Sequence, residues 1–137
     1  MTTAKKITEA ENILNRLKVC STKEFEVELN NFVHSIHDIF SHLLDEYNKK
    51  FDLKIDRIGL EKFKVRAKKM GRIDAINFLI WYEKEYRKIK DDEICGYLLE
   101  RKDNLDVDFS NMNNVITASS LLLNRAKTLA YSAYERF

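Results

Sequence analysis

Seven apolar residues, Phe25, Leu29, Phe32, Ile36, Phe40, Leu43 and Tyr47, recur every three or four positions through one uninterrupted stretch. That period places them on one side of a helix of about 28 residues, ending near Lys49. A helix so long, with so continuous an apolar stripe, cannot stand alone in water and requires other helices to cover it. Its start is also legible. Ser21 followed by Glu24 forms a capping box, in which the hydroxyl and the carboxylate each satisfy a backbone N–H that the first turn leaves open.

The rest of the chain offers little that would break helices. Proline is absent, and glycine occurs only at positions 59, 71 and 96 of the 137 residues. Ile7, Ala10, Leu14 and Leu17 give a first helix over about residues 5–19. Residues 51–59 read as a loop or short turn. Leu60, Phe63, Ala67 and Met70 then share one face of a short helix that Gly71 ends or bends. In the next helix Ile73, Ile76 and Ile80 occupy one side while Phe78, Tyr82 and Ile89 occupy the other. Such a helix is either buried between neighbours or serves both a core and a dimer interface. Asp91 or Asp92 caps a further helix, whose acids favour the positive end of its dipole. A last helix turns Val115, Leu122, Ala126, Leu129, Ala133 and Phe137 inward. The expectation is an all-α, antiparallel up-and-down bundle of five or six helices, forming a single domain over residues 1–137.

Composition narrows the setting. Apolar residues make up 45% and charged residues 34%, which suits a folded soluble domain and not a disordered one. The opening residues lack the apolar segment of a signal peptide, and the most apolar run is too short to cross a bilayer, so a cytoplasmic protein without a membrane partner is expected. Cys20 and Cys95 stand apart with no CxxC, as reduced thiols. Charge is unevenly spread. Residues 49–72 hold ten Lys/Arg against three acids, so with a net charge of +2 for the whole chain that segment carries +7 and the remainder −5.

Within that segment Lys62, Arg66 and Lys69 recur at i, i+4 and i+7, opposite Leu60, Phe63 and Met70, with Lys64 and Lys68 flanking the apolar face. The array is suited to phosphate groups, with affinity that falls steeply as salt rises; the alternative is an ordinary solvated lysine face. His34, Asp38 and His42 line one strip of the long helix, but His34 and Asp38 point away from the apolar stripe, and no second helix completes a coordination sphere. No metal site is therefore expected. Asp103, Asp106 and Asp108 lack the spacing and the glycine of a calcium loop. No phosphate-binding glycine loop or serine elbow occurs, and no cofactor is implied. The aromatic run around Trp81 reads as core.

Arg101 shares a stripe with Ile94, Leu98 and Leu105. A guanidinium in line with buried residues reaches water, pairs with a carboxylate of a neighbouring helix, or lines a cleft that needs positive charge.

Three stretches together resemble an HEPN-like group of small helical proteins: "FEVELNNFVHSIHDIF", "FLIWYEKEYRK" with Trp81 and Tyr82, and "DDEICGYLLERKDNLDVD". The last is similar to the helix bearing that group's signature, an Arg, usually an Asn, and a His four to six residues beyond the Arg. The resemblance spans roughly residues 24–108. It implies a four- or five-helix bundle, often a homodimer, with Arg and His of two subunits facing across a cleft. Active members are metal-independent ribonucleases, and others bind RNA, nucleotides or protein partners. Arg101 matches the signature arginine. Lys102 stands where the Asn is usual, with Asn104 nearby, and no histidine follows His42. Without an imidazole to take and give a proton near neutral pH, catalysis there is not expected.

The leading expectation is a catalytically degenerate HEPN-like module that binds RNA or a nucleotide through Arg101, with Asn104 beside it, and through Lys62, Arg66 and Lys69. One alternative is a ribonuclease that recruits His37 or Tyr97 in place of the missing histidine. Another is a protein-interaction or structural bundle that uses the two-sided helix around Ile76 to Ile89.

Overall fold

A computed structural model describes residues 3–50, 52, 60–100 and 112–136. Among them six helices follow one another: α1 (Thr3–Val19), α2 (Thr22–Lys50), α3 (Leu60–Lys69), α4 (Ile73–Asp91), α5 (Glu93–Glu100) and α6 (Met112–Tyr134). The all-α expectation holds.

Only Cys20 and Ser21 separate α1 from α2, so the chain must double back. Ser21 Oγ accepts the Glu24 N–H at 3.3 Å, the hydroxyl half of the expected box. The two helices then run antiparallel, because their partners pair in reverse order. Arg16 meets Glu28 at 3.4 Å, Lys6 meets Asp38 at 3.9 Å, and the Thr3 N–H reaches the Glu46 carboxylate. Tyr134 donates its hydroxyl to the same Glu46 oxygen, which ties the end of α6 to the start of α1.

Every residue of the long stripe, from Phe25 to Tyr47, is buried. Ile7, Ala10, Leu14 and Leu17 close over it from α1, and Val115, Leu122, Ala126, Leu129 and Ala133 from α6. Removing each of the larger side chains from water contributes roughly 1.5–3 kcal/mol. Helix α4 also crosses α2 antiparallel: Phe40 meets Tyr86 edge to face at 5.0 Å, and Tyr47 stacks on Phe78 at 3.9 Å. At the far end of α6, the Arg136 guanidinium lies over the half-buried Trp81 ring of α4 at 4.4 Å.

Gly71 stops α3 as its sequence position suggested. Its φ of +63° is the left-handed conformation, its N–H bonds to the Lys68 carbonyl, and the Arg72 N–H reaches back to Ala67. Those two bonds make a Schellman turn, which a residue with a Cβ adopts only under strain. Asp92, the second of the two caps considered, starts α5, accepting the N–H groups of Ile94 and Cys95 at 3.1 and 2.9 Å. Those bonds, the one from Cys95 foremost, hold its carboxyl below the usual carboxylate range. Gly96 then packs so tightly on α4 that a Cβ would overlap the Lys90 carbonyl oxygen.

Two apolar residues expected inside, Ile94 and Met70, are not, and of the two apolar sides of α4 one is left largely exposed. Ile94 is 47% exposed, because the buried side of α5 runs through Cys95, Leu98 and Leu99. Met70 is 39% exposed at the turn. On α4 only the Phe78, Tyr82 and Ile89 side is core, and Ile73 and Ile80 are 72% and 62% exposed. The side chains of Leu60, Phe63, Leu105 and Phe137, and the 51–59 segment apart from Asp52, lie outside the described residues. Cys20 and Cys95 are both free thiols. Among the described residues no helix is long and apolar enough to cross a membrane.

Candidate anion-binding face

Helix α3 is short and strongly charged, and its ends explain how it persists. Glu61 sits in the first turn and Arg66, Lys68 and Lys69 in the last, each sign at the helix end it favours. Ala67 is fully buried and fixes which side faces the bundle. On the opposite side Lys62, Arg66 and Lys69 are all exposed. At ~1.5 Å rise per residue they extend over about 10 Å. That length matches roughly three phosphates of a nucleic-acid strand, spaced ~3.4 Å apart along the axis. Among the described residues, neither Lys62 nor Lys69 has an ion-pair partner.

Three neighbouring cations, Lys64, Arg72 and Lys49, are already paired. Lys64 turns toward α4, where its ammonium lies 2.6 Å from Glu83, with Glu61 at 3.7 Å. Glu83 also holds Arg87 at 2.9 Å. The Lys64 hydrogen bond pulls the Glu83 carboxyl below its usual range, and the same bond raises the Lys64 ammonium above its own. Arg72 grips Asp74 through two bonds of 3.2 and 3.1 Å, which depresses the Asp74 carboxyl. Beneath this pair burial, helped by Asp74, pushes the Tyr47 phenol up to about 12. Lys49 pairs with Asp45 at 3.2 Å. Among the described residues the segment is therefore partly neutralised, while Lys62, Arg66, Lys68 and Lys69 of α3 stay exposed.

Arg101 and Asn104 lie outside the described residues, as do Lys102 and the acids Asp103, Asp106 and Asp108. The helix that leads toward them is anchored by His37, whose Nε2 lies 2.8 Å from the Leu99 carbonyl oxygen. A carbonyl only accepts, so Nε2 carries the proton in this contact. Tyr97 is buried and, with Leu98, Val115 and Ala118, lines a cavity of about 480 Å³ between α5 and α6. His34 is exposed with Nε2 3.9 Å from Asp38, whereas His42 is half-buried with Nδ1 enclosed and lacking a hydrogen-bond partner. The three do not converge, and among the described residues no group of three His, Cys, Asp or Glu is placed to hold a metal ion.

Two features were missed by reading residues one helix at a time. Glu83 selects Lys64, and not Lys62, as the neutralised lysine; its only trace was an i, i+4 pairing with Arg87. The second is a cavity of about 230 Å³ between α3 and α4, lined by Lys64, Lys68, Ile76, Leu79, Ile80 and Glu83. Its trace was the second apolar side of α4. Compared with family models, with curated proteins and with solved structures, the chain matches none of them.

Proposed function

We propose that this chain is a catalytically degenerate HEPN-like module, homodimeric, that binds RNA, a nucleotide or another phosphate-bearing partner. One observation carries the reading. The outer face of α3 presents Lys62, Arg66 and Lys69 to solvent in one row, while the lysine on its inner side is already neutralised by Glu83. Arg101, with Asn104, is the further anion contact that the family resemblance implies.

Three contacts to a single strand give a logarithmic salt slope near −2, so affinity falls about 20-fold between 50 and 200 mM salt. Fluorescence anisotropy of a labelled single-stranded RNA at those two concentrations tests this. Lys62→Glu combined with Lys69→Glu should abolish the binding at both. An RNA that does not bind at the lower concentration overturns the reading.

A second reading, an active metal-independent ribonuclease, draws on the contact between His37 and Leu99, which holds an imidazole against the last turn of α5, after which Arg101 is the next residue in the sequence. The same bond occupies Nε2 and leaves only Nδ1 for proton transfer, which favours binding over catalysis. RNA cleavage in chelator that is lost in both His37→Ala and Arg101→Ala would reverse that preference.

A further inference from the structure

The exposed isoleucines of α4 lie beside the cavity between α3 and α4, and no contact among the described residues covers them. Ile73, Ile76 and Ile80 are spaced i, i+3 and i+7, the spacing with which one helix seats another. Ile73 and Ile80 are largely in water and Ile76 is half-buried, with buried Leu79 as the floor between them. Covering the two outer isoleucines would remove their apolar surface from water, which favours association.

The surroundings of this stripe say what covers it. Lys64 and Lys68 form the opposite wall of the cavity. One and two turns past Ile80, Lys84 and Arg87 continue the same outer face, both exposed. Against these four cations stand Glu83, which already serves Lys64 and Arg87, and Glu61, which also faces Lys64. The rim is therefore positive. A second copy of this chain would bring the same cations face to face across a two-fold axis, and like charges so placed repel. A nucleic-acid backbone would satisfy the lysines and leave the isoleucines in water.

We infer that the groove between α3 and α4 docks an acidic amphipathic helix of another protein, its apolar residues seated on Ile73, Ile76 and Ile80 and its carboxylates on Lys68, Lys84 and Arg87. Charge complementarity steers the encounter and the apolar stripe supplies the affinity.

The test uses the full chain and two labelled synthetic helices that share one leucine stripe at i, i+3, i+4 and i+7, one with Glu at the flanking positions and the other with Lys. The Glu helix should bind at least about tenfold tighter than the Lys helix, a difference of ~1.4 kcal/mol. Ile80→Gln should weaken the Glu helix about tenfold, and Lys68→Glu about fivefold with a shallower salt dependence. Circular dichroism melts report whether each variant is folded; if Ile80→Gln is not, Ile73→Gln, at a still more exposed position, reads the same effect. Three results overturn the inference: equal binding of the two helices, binding indifferent to Ile80→Gln and Ile73→Gln, or a dimer of the parent chain that Ile80→Gln dissociates in sedimentation. Retention by anionic phospholipid vesicles, with no preference for the Glu helix, would overturn it as well.

Discussion

Helix α2 runs 29 residues and turns a row of aromatic and branched side chains into the centre of the bundle, whereas α3 runs 10 and turns most of its described side chains to water. The two are held by different forces. Helix α2 is fixed along its whole length by burial against α1, α4 and α6. Helix α3 is fixed at points: a left-handed glycine at its end, an alanine beneath it, and an ion pair to α4. Burial spread along a helix resists change and leaves little surface for chemistry. Fixation at a few points leaves a face available for a partner at small cost in stability. Continuous burial and solvent-facing charge thus fall on different helices.

The sharpest way to break this comparison is to cut into α2. Phe32 is fully buried, and Phe32→Ala should lower unfolding free energy by about 4 kcal/mol, read from urea denaturation midpoints at constant slope. A loss below about 1 kcal/mol would mean that α2 is not the spine of the bundle. Next in size is the stop of α3. Gly71→Ala forces a Cβ into the left-handed region and should cost about 1 kcal/mol, although the position has open space around it. If it costs nothing, the turn is not what ends the helix.

A smaller effect separates the ion pair from the turn. The Glu83 carboxyl is depressed by its bond to Lys64, so its contribution is present above the usual glutamate range and is lost as pH falls through its lowered value. Lys64 is raised by the same bond, so its contribution is present below the usual lysine range and is lost as pH climbs past its raised value. For a partly exposed pair the total is about 0.5 kcal/mol. Glu83→Gln should therefore flatten the acid side of the stability–pH profile and leave the neutral plateau lower by that amount. Smallest for stability is Lys62→Ala, expected within about 0.5 kcal/mol of the parent. In RNA binding the same change should reduce the steepness of the salt dependence by about 0.7. A stability loss as large as that of Gly71→Ala would place Lys62 in the fold and not at its surface.

Much of the architecture was legible from residues alone. The stripe from Phe25 to Tyr47, the Ser21 cap, the inward alanines of α6 and the stop at Gly71 follow from periodicity and local backbone chemistry, which need no knowledge of neighbours. Ile94 and Met70 were misjudged, and the role of the Ile73 and Ile80 side was left open between two alternatives, for the converse reason. A helical wheel marks apolar residues as inward, but only the position of the next helix decides which of two apolar sides is covered, and α2 and α6 cover the Phe78 side of α4. The candidate site divides in the same way. The outward row of Lys62, Arg66 and Lys69 could be drawn from spacing, whereas the neutralisation of Lys64 required Glu83, which reaches it from another helix.

Glu46 holds the first residue of α1 and the hydroxyl of Tyr134 on a single oxygen, so the backbone begins and finishes its described course at one pole. A bridge of a few residues could thus join α6 to α1 without displacing either helix. Such closure would restrict the unfolded ensemble more than the native state and raise the melting temperature with every side chain left as it is.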